Sequence, residues 1–215
     1  MVLGATMDDP MTSPHFAVQG SLLDGGPPAL DEGFGALARH RLDEHSWVDH
    51  APGWLRGAQC VFDDLVERIE WTQNERRLFD RVVTEPRLHG WWQAIEGPPP
   101  VPIIGEMAGV LSRRYGVRFD SVGFNFYRDG RDSVAWHRDK IPEEVQDPLV
   151  AIVSVGEPRT FRLRPRGGGP SVAFPLGHGD LLVTGGRCQR TWEHAVPKVR
   201  RAGARISITF RHGRR

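Results

Sequence analysis

Beyond residue 118 the chain consists of short runs of strand-forming residues separated by turns that contain glycine. The runs are FDSVGFNFY, VAWHRD, LVAIVSVG, TFRLRP, GGGPSVAFP, DLLVT and RISITFR. They follow one another too closely for the crossover helices that parallel strands require. The pattern therefore predicts an antiparallel region of the sandwich or jelly-roll type.

The residues before this region predict helices. Between Trp54 and Trp71 the apolar residues recur at helical spacing, with charged residues on the opposite side. A proline-rich break at residues 97–102 precedes a second helical stretch around residues 107–115, which Gly116 is expected to end. We therefore predict an α+β, mainly β fold: a double-stranded β-helix, or jelly roll, with N-terminal helices packed on one sheet.

The length and composition predict one domain. A chain of 215 residues that is 39% hydrophobic can bury a single core. Residues 1–40 are rich in glycine, proline, aspartate and serine and are expected to form a flexible leader. The domain is then expected to span residues 41–215, with the jelly-roll core at roughly residues 118–215.

Two further features exclude several classes of protein. The first residues include acidic groups and lack a signal-peptide core, and no later stretch is long and uncharged enough to span a bilayer, so a soluble, cytoplasmic protein is expected. The two cysteines, Cys60 and Cys188, lie far apart and outside any C-x-x-C pair. They therefore indicate neither a disulfide framework nor a zinc finger.

The charges are divided unequally between the two halves of the chain. Residues 1–107 carry 8 basic and 17 acidic groups, and residues 108–215 carry 20 and 10, so the halves have net charges of −9 and +10. A basic half can present a positive face to a polyanion such as nucleic acid. A solvated arginine-rich surface has the same composition, and charge alone leaves both interpretations open.

The segment WHRDK contains a candidate pair of metal ligands. Residues two apart in a strand point to the same side, so His137 and Asp139 can reach one ion together. His178 and Asp180 form a second H-x-D pattern, but they flank a glycine in a turn, whereas the first pair ends a strand. We therefore favour the first pair.

A third ligand must come from elsewhere in the chain, and His194 is the candidate. It follows His137 by 57 residues, enough to circle a jelly roll and return, but follows Asp180 by only 14. Two imidazoles and one carboxylate, with open positions left over, suit non-haem Fe(II) and oxygen chemistry. Zinc accepts the same ligand types, so this pattern alone leaves both metals open.

The last strand carries two arginines on one face. Strand alternation separates a polar face from the face formed by Ile206, Ile208 and Phe210. The polar face consists of Arg205, Ser207, Thr209 and Arg211. Guanidinium groups bind carboxylates in bidentate fashion, so this face fits a dicarboxylate, to which Asn125 and Tyr127 on an earlier strand could add an amide and a phenol. The alternative is a surface strand with solvated arginines.

Together with these residues, the order of motifs in the chain resembles that of the AlkB family of Fe(II)/2-oxoglutarate-dependent nucleic-acid dealkylation dioxygenases. The resemblance runs from about Pro86 to Arg211 and rests on six motifs in order: N-F-Y, R-D-G, H-R-D, G-H-G-D-L-L-V, W-E-H-A-V-P-K and R-I-S-I-T-F-R. It implies the cofactors Fe(II), 2-oxoglutarate as co-substrate, and O2. It also implies oxidative removal of alkyl groups from nucleic-acid bases, as in the repair of DNA alkylation damage, with release of formaldehyde, succinate and CO2.

The resemblance also implies roles for particular residues. It makes His137, Asp139 and His194 the catalytic iron ligands. Asn125 and Arg211 would bind the metal-proximal carboxylate of 2-oxoglutarate, and Tyr127 and Arg205 the distal one. Ser207 belongs to the same co-substrate site but stands where many relatives have asparagine, so its own contribution is open.

The resemblance implies less about the substrate. The segment PRLHGWW resembles the family's nucleotide-recognition lid, expected at roughly residues 80–100, so Trp91 or Trp92 could stack on an extruded base opposite His137. Core packing is the alternative for this tryptophan pair. Arg138 is a candidate phosphate contact. Ile141 and Pro142 stand where some relatives carry an acidic residue that contacts the base.

These residues leave three functional hypotheses. The first is dealkylation of nucleic-acid bases, the second is the same oxygenase chemistry on a protein, lipid or small molecule, and the third is a non-catalytic binding module with a structural metal. No membrane contact is expected, and we expect a monomer. The peptide Gln19-Gly20-Ser21-Leu22-Leu23 resembles the short segments by which bacterial repair proteins dock on the sliding clamp, which makes that clamp a candidate partner.

Overall fold

The computed structural model describes residues 26–78, 80–139 and 141–213, and only the backbone is described for residues 76–78 and 81. The first part of this chain forms β1 (Ala29–Leu30), β2 (Ala38–Arg41), β3 (Ser46–Ala51), β4 (Leu55–Arg56), α1 (Ala58–Arg68), β5 (Glu75–Leu78), β6 (Arg81–Thr84), β7 (Leu88–Gln93) and α2 (Pro102–Tyr115). The second part forms β8 (Phe119–Tyr127), β9 (Val134–His137), β10 (Val150–Gly156), β11 (Arg159–Pro165), β12 (Val172–Leu176), β13 (Asp180–Gly186), α3 (Cys188–Thr191), β14 (Trp192–Val196) and β15 (Arg205–His212).

Two antiparallel sheets form the body of the molecule. The larger sheet has the order β2-β3-β13-β10-β15-β8-β7, and the smaller one has the order β12-β11-β14-β9. Apolar side chains from both sheets, including Ile152 of β10 and Phe161 of β11, pack together in one buried cluster. The predicted jelly roll is therefore confirmed.

Both long helices pack on the outer face of the larger sheet, as predicted. The buried face of α1 includes Phe62 and Leu65, and that of α2 includes Met107 and Leu111. These side chains belong to the same cluster as the outward-facing residues of β8 and β15. Helix α2 ends at Gly116, whose left-handed backbone (φ 69°) lets its N–H donate to the carbonyl of Ser112.

The packing of α1 can be tested with Leu65→Ala. Leu65 is fully buried against the sheet, so the substitution should lower the free energy of unfolding by ~2–5 kcal/mol. Glu67→Ala on the exposed side of α1 is the control and should change it by less than ~0.5 kcal/mol. Urea unfolding followed by circular dichroism measures both, and equal effects would contradict the assigned helix face.

Several strands lie before residue 118, outside the region in which the sequence predicted strands. Strand β2 pairs with β3, so the larger sheet begins before the boundary predicted at residue 41. Strand β7 pairs with β8 and forms the other edge of the same sheet. The leader residues 1–25 lie outside the described residues, and the division into leader and domain stays a prediction. No helix among the described residues is long and apolar enough to cross a membrane.

Candidate metal and co-substrate site

A cavity of about 830 Å³ opens between the two sheets and holds the residues of interest. The wall on the larger sheet comes from β7, β8 and β15, and the opposite wall comes from the smaller sheet. The lining includes Arg87, His89, Trp91, Gly123, Asn125, Tyr127, His137, Asp139, His194, Arg205, Ser207, Thr209 and Arg211. All eight residues that the sequence analysis assigned to iron or 2-oxoglutarate therefore lie around one cavity.

The three candidate metal ligands meet at the edge of the smaller sheet. His194 on β14 pairs directly with His137 on β9, and Asp139 follows β9 by two residues. Asp139 Oδ1 lies 3.9 Å from the Nε2 atom of each histidine. One donor atom from each residue lies within 4.8 Å of the others, so the three can share one ion. This donor set, with two imidazoles and one carboxylate, fits Fe(II).

The electrostatics of the site favour the protonation states that bind a metal. Burial alone would raise the pKa of Asp139, but Arg211 and the two imidazoles outweigh it, so that pKa lies well below its usual value. Burial and the neighbouring His137 lower the pKa of His194 to about 3. At neutral pH the carboxylate is therefore charged and the His194 imidazole neutral, which are the forms that coordinate metals.

The second H-x-D pair has a structural role instead. The Nδ1 atom of His178 accepts the backbone N–H of Gly156 at 2.7 Å. The Asp180 carboxylate accepts the N–H groups of Gly53 and Gly177. Both side chains therefore accept backbone N–H groups from this turn and from neighbouring segments of the chain, a structural role of the kind that their position beside a glycine indicated.

The polar face of β15 lines the cavity because of the strand register. Ser207 pairs with Asn125 of β8, which pairs with His89 of β7, so these three side chains form one row across the sheet. Arg205 and Tyr127 form an adjacent pair. The predicted alternation along β15 thus matches the structure, with the apolar face packed on the helices.

Arg205 is the most unusual of these residues. It is 1% exposed, and its Nε donates to Ser154 Oγ at 2.9 Å. Its Nη1 is buried without a hydrogen-bond partner among the described residues. Burial lowers the pKa of Arg205 to about 10, which still leaves it charged at neutral pH. A buried cation with a spare donor on a cavity wall fits a ligand carboxylate.

The other candidate co-substrate residues make contacts of their own. Burial raises the pKa of Tyr127, so its hydroxyl stays protonated. The Tyr127 ring lies 5.2 Å from the Arg205 guanidinium. Arg211 Nε donates to Asp139 Oδ2 at 2.7 Å and so contacts a candidate metal ligand directly. Ser207 Oγ lies 3.4 Å from Thr209 Oγ1, within the polar face.

The two tryptophans face opposite sides of β7. Trp91 is 42% exposed and lines the cavity, with its ring over Gly123, where an added Cβ would come within 2.9 Å. Trp92 also borders the cavity, but it is only 9% exposed, packs in the core beneath the helices, and donates from its Nε1 to the carbonyl of Gly97. Its exposed ring makes Trp91 the better candidate of the pair for stacking on a substrate, and the stacking role stays a prediction.

Two further arginines differ in whether they line the cavity. The predicted phosphate contact Arg138 donates to the carbonyl of Arg190 and is not among the described residues that line the cavity. Arg87, which the sequence analysis did not single out, lines the cavity and donates to Asn125. The sequence signal that could have identified Arg87 is the segment E-P-R-L-H, in which Glu85, Arg87 and His89 alternate with other residues. In an extended chain these three ionisable groups share one side.

A jelly roll that places two histidines and an aspartate beside a buried arginine defines a non-haem metal oxygenase with an anionic co-substrate. The chain belongs to the 2OG-Fe(II) oxygenase superfamily, whose family model matches residues 55–211. Within that superfamily it belongs to the AlkB family. Its cofactors are accordingly Fe(II), 2-oxoglutarate and O2.

The relatives make the family assignment specific. The chain is 31% identical over 182 residues to alpha-ketoglutarate-dependent dioxygenase alkB homolog 3 of Rattus norvegicus, covering 74% of this chain and 62% of the rat protein. It is 32% identical over 194 residues to DNA oxidative demethylase ALKBH2 of Arabidopsis thaliana, covering 70% of this chain and 60% of the plant protein. The chain thus spans less than two thirds of the length of these relatives.

Proposed function

We propose that this protein is an Fe(II)- and 2-oxoglutarate-dependent dioxygenase that removes alkyl groups from nucleic-acid bases by oxidation. The products would be the restored base, formaldehyde, succinate and CO2. The observation that carries the chemistry is the buried Arg205, which has a spare donor in the same cavity as the candidate iron ligands. The names of the relatives, among them a DNA oxidative demethylase, support nucleic acid as the substrate.

Each group in the cavity has a distinct part in this function. His137, Asp139 and His194 would hold Fe(II), which when bound supplies oxygen activation. Arg205 and Tyr127 would bind the distal carboxylate of 2-oxoglutarate through a guanidinium and a protonated hydroxyl.

Other residues would orient these groups and exclude water. Arg211 fixes the orientation of Asp139 through the 2.7 Å ion pair and would place its remaining donors near the metal-proximal carboxylate, together with Asn125. Apolar side chains that line the cavity, including Phe161, would limit the access of water to the reacting atoms.

The substrate would approach at the exposed edge of the larger sheet. Trp91 offers a partly exposed ring at the cavity, and stacking on such a ring holds an unpaired base. The segment after the metal pair offers no acidic contact at Ile141 or Pro142, whose carbonyl oxygens accept hydrogen bonds from Arg190. Stacking and shape would therefore contribute more to base recognition than a carboxylate at these positions.

An assay across methylated oligonucleotides tests this function. The Fe(II)-loaded protein is mixed with 2-oxoglutarate and single- or double-stranded oligonucleotides that carry different methylated bases, and succinate and formaldehyde are measured together. We expect both products in equal amounts from at least one substrate. Succinate without oligonucleotide-dependent formaldehyde would instead favour a protein, lipid or small-molecule substrate.

Trp91→Ala tests the stacking role. The substitution should raise the KM for the methylated oligonucleotide by about 5- to 150-fold, because stacking of one base on an aromatic ring is worth ~1–3 kcal/mol. Trp91→Phe should restore most of the affinity. Ile95→Ala is the control, since this side chain is 92% exposed and follows the same strand. An unchanged KM for Trp91→Ala would remove Trp91 from the substrate site.

The other predicted partners rest on the sequence alone. Gln19 to Leu23 lies outside the described residues, so docking on the bacterial sliding clamp stays a prediction, as do the monomeric state and the cytoplasmic location. If the peptide binds the clamp, Leu22→Ala with Leu23→Ala should weaken binding by at least about tenfold, because the two leucines supply its apolar contacts. Surface plasmon resonance with immobilised clamp measures this, and unchanged affinity would reject the motif.

A further inference from the structure

Arg87 makes a contact that links the edge of the larger sheet to the co-substrate site. It lies just before β7, and its Nε donates to Asn125 Oδ1 at 3.0 Å. Both side chains line the cavity. The Asn125 side chain thus has a partner that approaches from the neighbouring strand.

This contact determines which way the Asn125 amide points. A guanidinium group has only donors, so the amide atom that faces Arg87 must be the carbonyl oxygen. The amide nitrogen, with its two N–H groups, is then turned away from Arg87. A carboxylate accepts hydrogen bonds and donates none, so this is the orientation that Asn125 needs in order to bind one.

Neighbouring groups hold Arg87 in place. Its Nη2 forms an ion pair with Glu85 Oε2 at 3.0 Å, and the same carboxylate oxygen lies 2.7 Å from His89 Nε2. The Arg87 and Glu85 side chains are only 15% and 14% exposed, so water screens the pair weakly.

The backbone ties this segment to the strand of the metal ligands. The carbonyl of Pro86 accepts the N–H of Ser133 at 2.8 Å, and Arg87 Nη1 donates to the carbonyl of Ser133 at 3.4 Å. Ser133 directly precedes β9, which carries His137. Arg87 therefore contacts both the co-substrate strand β8 and the start of the metal-binding strand.

We infer that Arg87 is a positioning residue for the co-substrate: with Glu85 as its counter-ion, it fixes the Asn125 amide so that its N–H groups face the ligand carboxylate. Arg87 then raises affinity for 2-oxoglutarate through Asn125. This inference rests on the proposed function, since it concerns how the same cavity binds 2-oxoglutarate.

The test is the affinity for 2-oxoglutarate of the full chain loaded with Mn(II), which does not support turnover, measured by isothermal titration calorimetry. The variant Glu85→Gln with Arg87→Met removes both charges together and leaves no unpaired carboxylate. We expect its Kd to rise by about tenfold, the effect of losing one well-oriented hydrogen bond. Thermal unfolding of the same samples shows that the variant is folded.

A double-mutant cycle separates positioning from a general structural effect. If Arg87 acts through Asn125, adding the Glu85/Arg87 changes to Asn125→Ala should raise the Kd by no more than about twofold beyond Asn125→Ala alone. The matched control is Arg128→Met with Asp132→Asn, another ion pair removed whole, at 2.7 Å and away from the cavity lining. This control should leave the Kd for 2-oxoglutarate unchanged.

The outcomes distinguish the two proposals. If the wild-type protein binds 2-oxoglutarate and the Glu85/Arg87 variant binds it equally well, or if the two sets of substitutions have additive effects, the inference about Arg87 is wrong and the proposed function stands. If the wild-type Mn(II) protein does not bind 2-oxoglutarate, both the proposed function and the inference are overturned.

Discussion

Asp139→Ala is expected to remove iron binding and turnover together. Asp139 supplies the only carboxylate of the candidate triad, and its loss leaves two imidazoles beside Arg211. An uncompensated guanidinium next to the ion site repels a cation, so the loss should exceed that of a simple ligand deletion. We expect Fe(II) affinity to fall by more than about 100-fold, beyond the effect of typical outer-shell changes. Succinate formation should fall with it.

His178→Ala is the matched control for this experiment, because it disrupts the other H-x-D pair. His178 accepts a backbone N–H from Gly156, so its loss should lower the free energy of unfolding by ~1–3 kcal/mol. The Fe(II) affinity of the folded variant should stay at the wild-type value. Equilibrium dialysis with Fe(II) under anaerobic conditions measures both proteins. Retained iron binding in Asp139→Ala, or its loss in His178→Ala, would show that the wrong pair was chosen.

Most of the candidate metal triad could be recognised in the sequence because the information is local. Strand alternation predicted His137 and Asp139 on one side, and the structure brings their donor atoms together although β9 ends at His137. The assignment of His194 needed the additional premise of a jelly roll, in which distant strands become neighbours. The structure brings His194 into direct register with His137. The polar face of β15 was predictable for the same local reason.

The surroundings of the cavity could not be predicted in this way. Alternation requires Trp91 and Trp92 to face opposite sides, but only the pairing of β7 with β8 determines which side is the cavity. The role of Arg87 depends on a contact with Asn125, 38 positions away in the chain. Such contacts depend on register between strands, which composition and periodicity within one strand do not determine.

The sheet edges were the other feature that the sequence left undetermined. Strand β2 has an exposed side chain at all four positions, so its sequence lacks the apolar alternation of a half-buried strand. It pairs with β3 through its backbone, and Arg39 adds an ion pair with the buried Asp49. Edge strands stabilised in this way resemble loops in composition, which explains why the sequence did not indicate a strand at these residues.

Arg205→Met is expected to abolish tight binding of 2-oxoglutarate while leaving the ligand-free protein at least as stable as the wild type. Methionine keeps an unbranched apolar side chain, shorter than that of arginine, and removes the charge and the donors. Losing one partner of a buried charge pair costs ~2–5 kcal/mol, so the Kd for 2-oxoglutarate should rise by at least about 30-fold. Without ligand, however, the wild-type protein buries a cation whose Nη1 lacks a partner among the described residues. Relief from burying this cation should offset the lost hydrogen bond to Ser154, because replacing buried charged groups with apolar ones is often neutral or stabilising.

Arg159→Met is the control and should have the opposite effects: lower stability with a much smaller effect on 2-oxoglutarate binding. The comparison separates a ligand-binding arginine from a structural one. Arg159 is 3% exposed, but its guanidinium donates to the carbonyls of Asp129, Asp132 and Pro197. Its loss leaves three acceptors without their donor and should lower the free energy of unfolding by more than ~2 kcal/mol, with a much smaller change in the Kd than Arg205→Met causes. Urea unfolding and titration with 2-oxoglutarate on the Mn(II) protein measure both quantities. If Arg205→Met instead destabilises the ligand-free protein as strongly as Arg159→Met, then Arg205 is a structural residue, and the co-substrate carboxylate must bind elsewhere in the cavity.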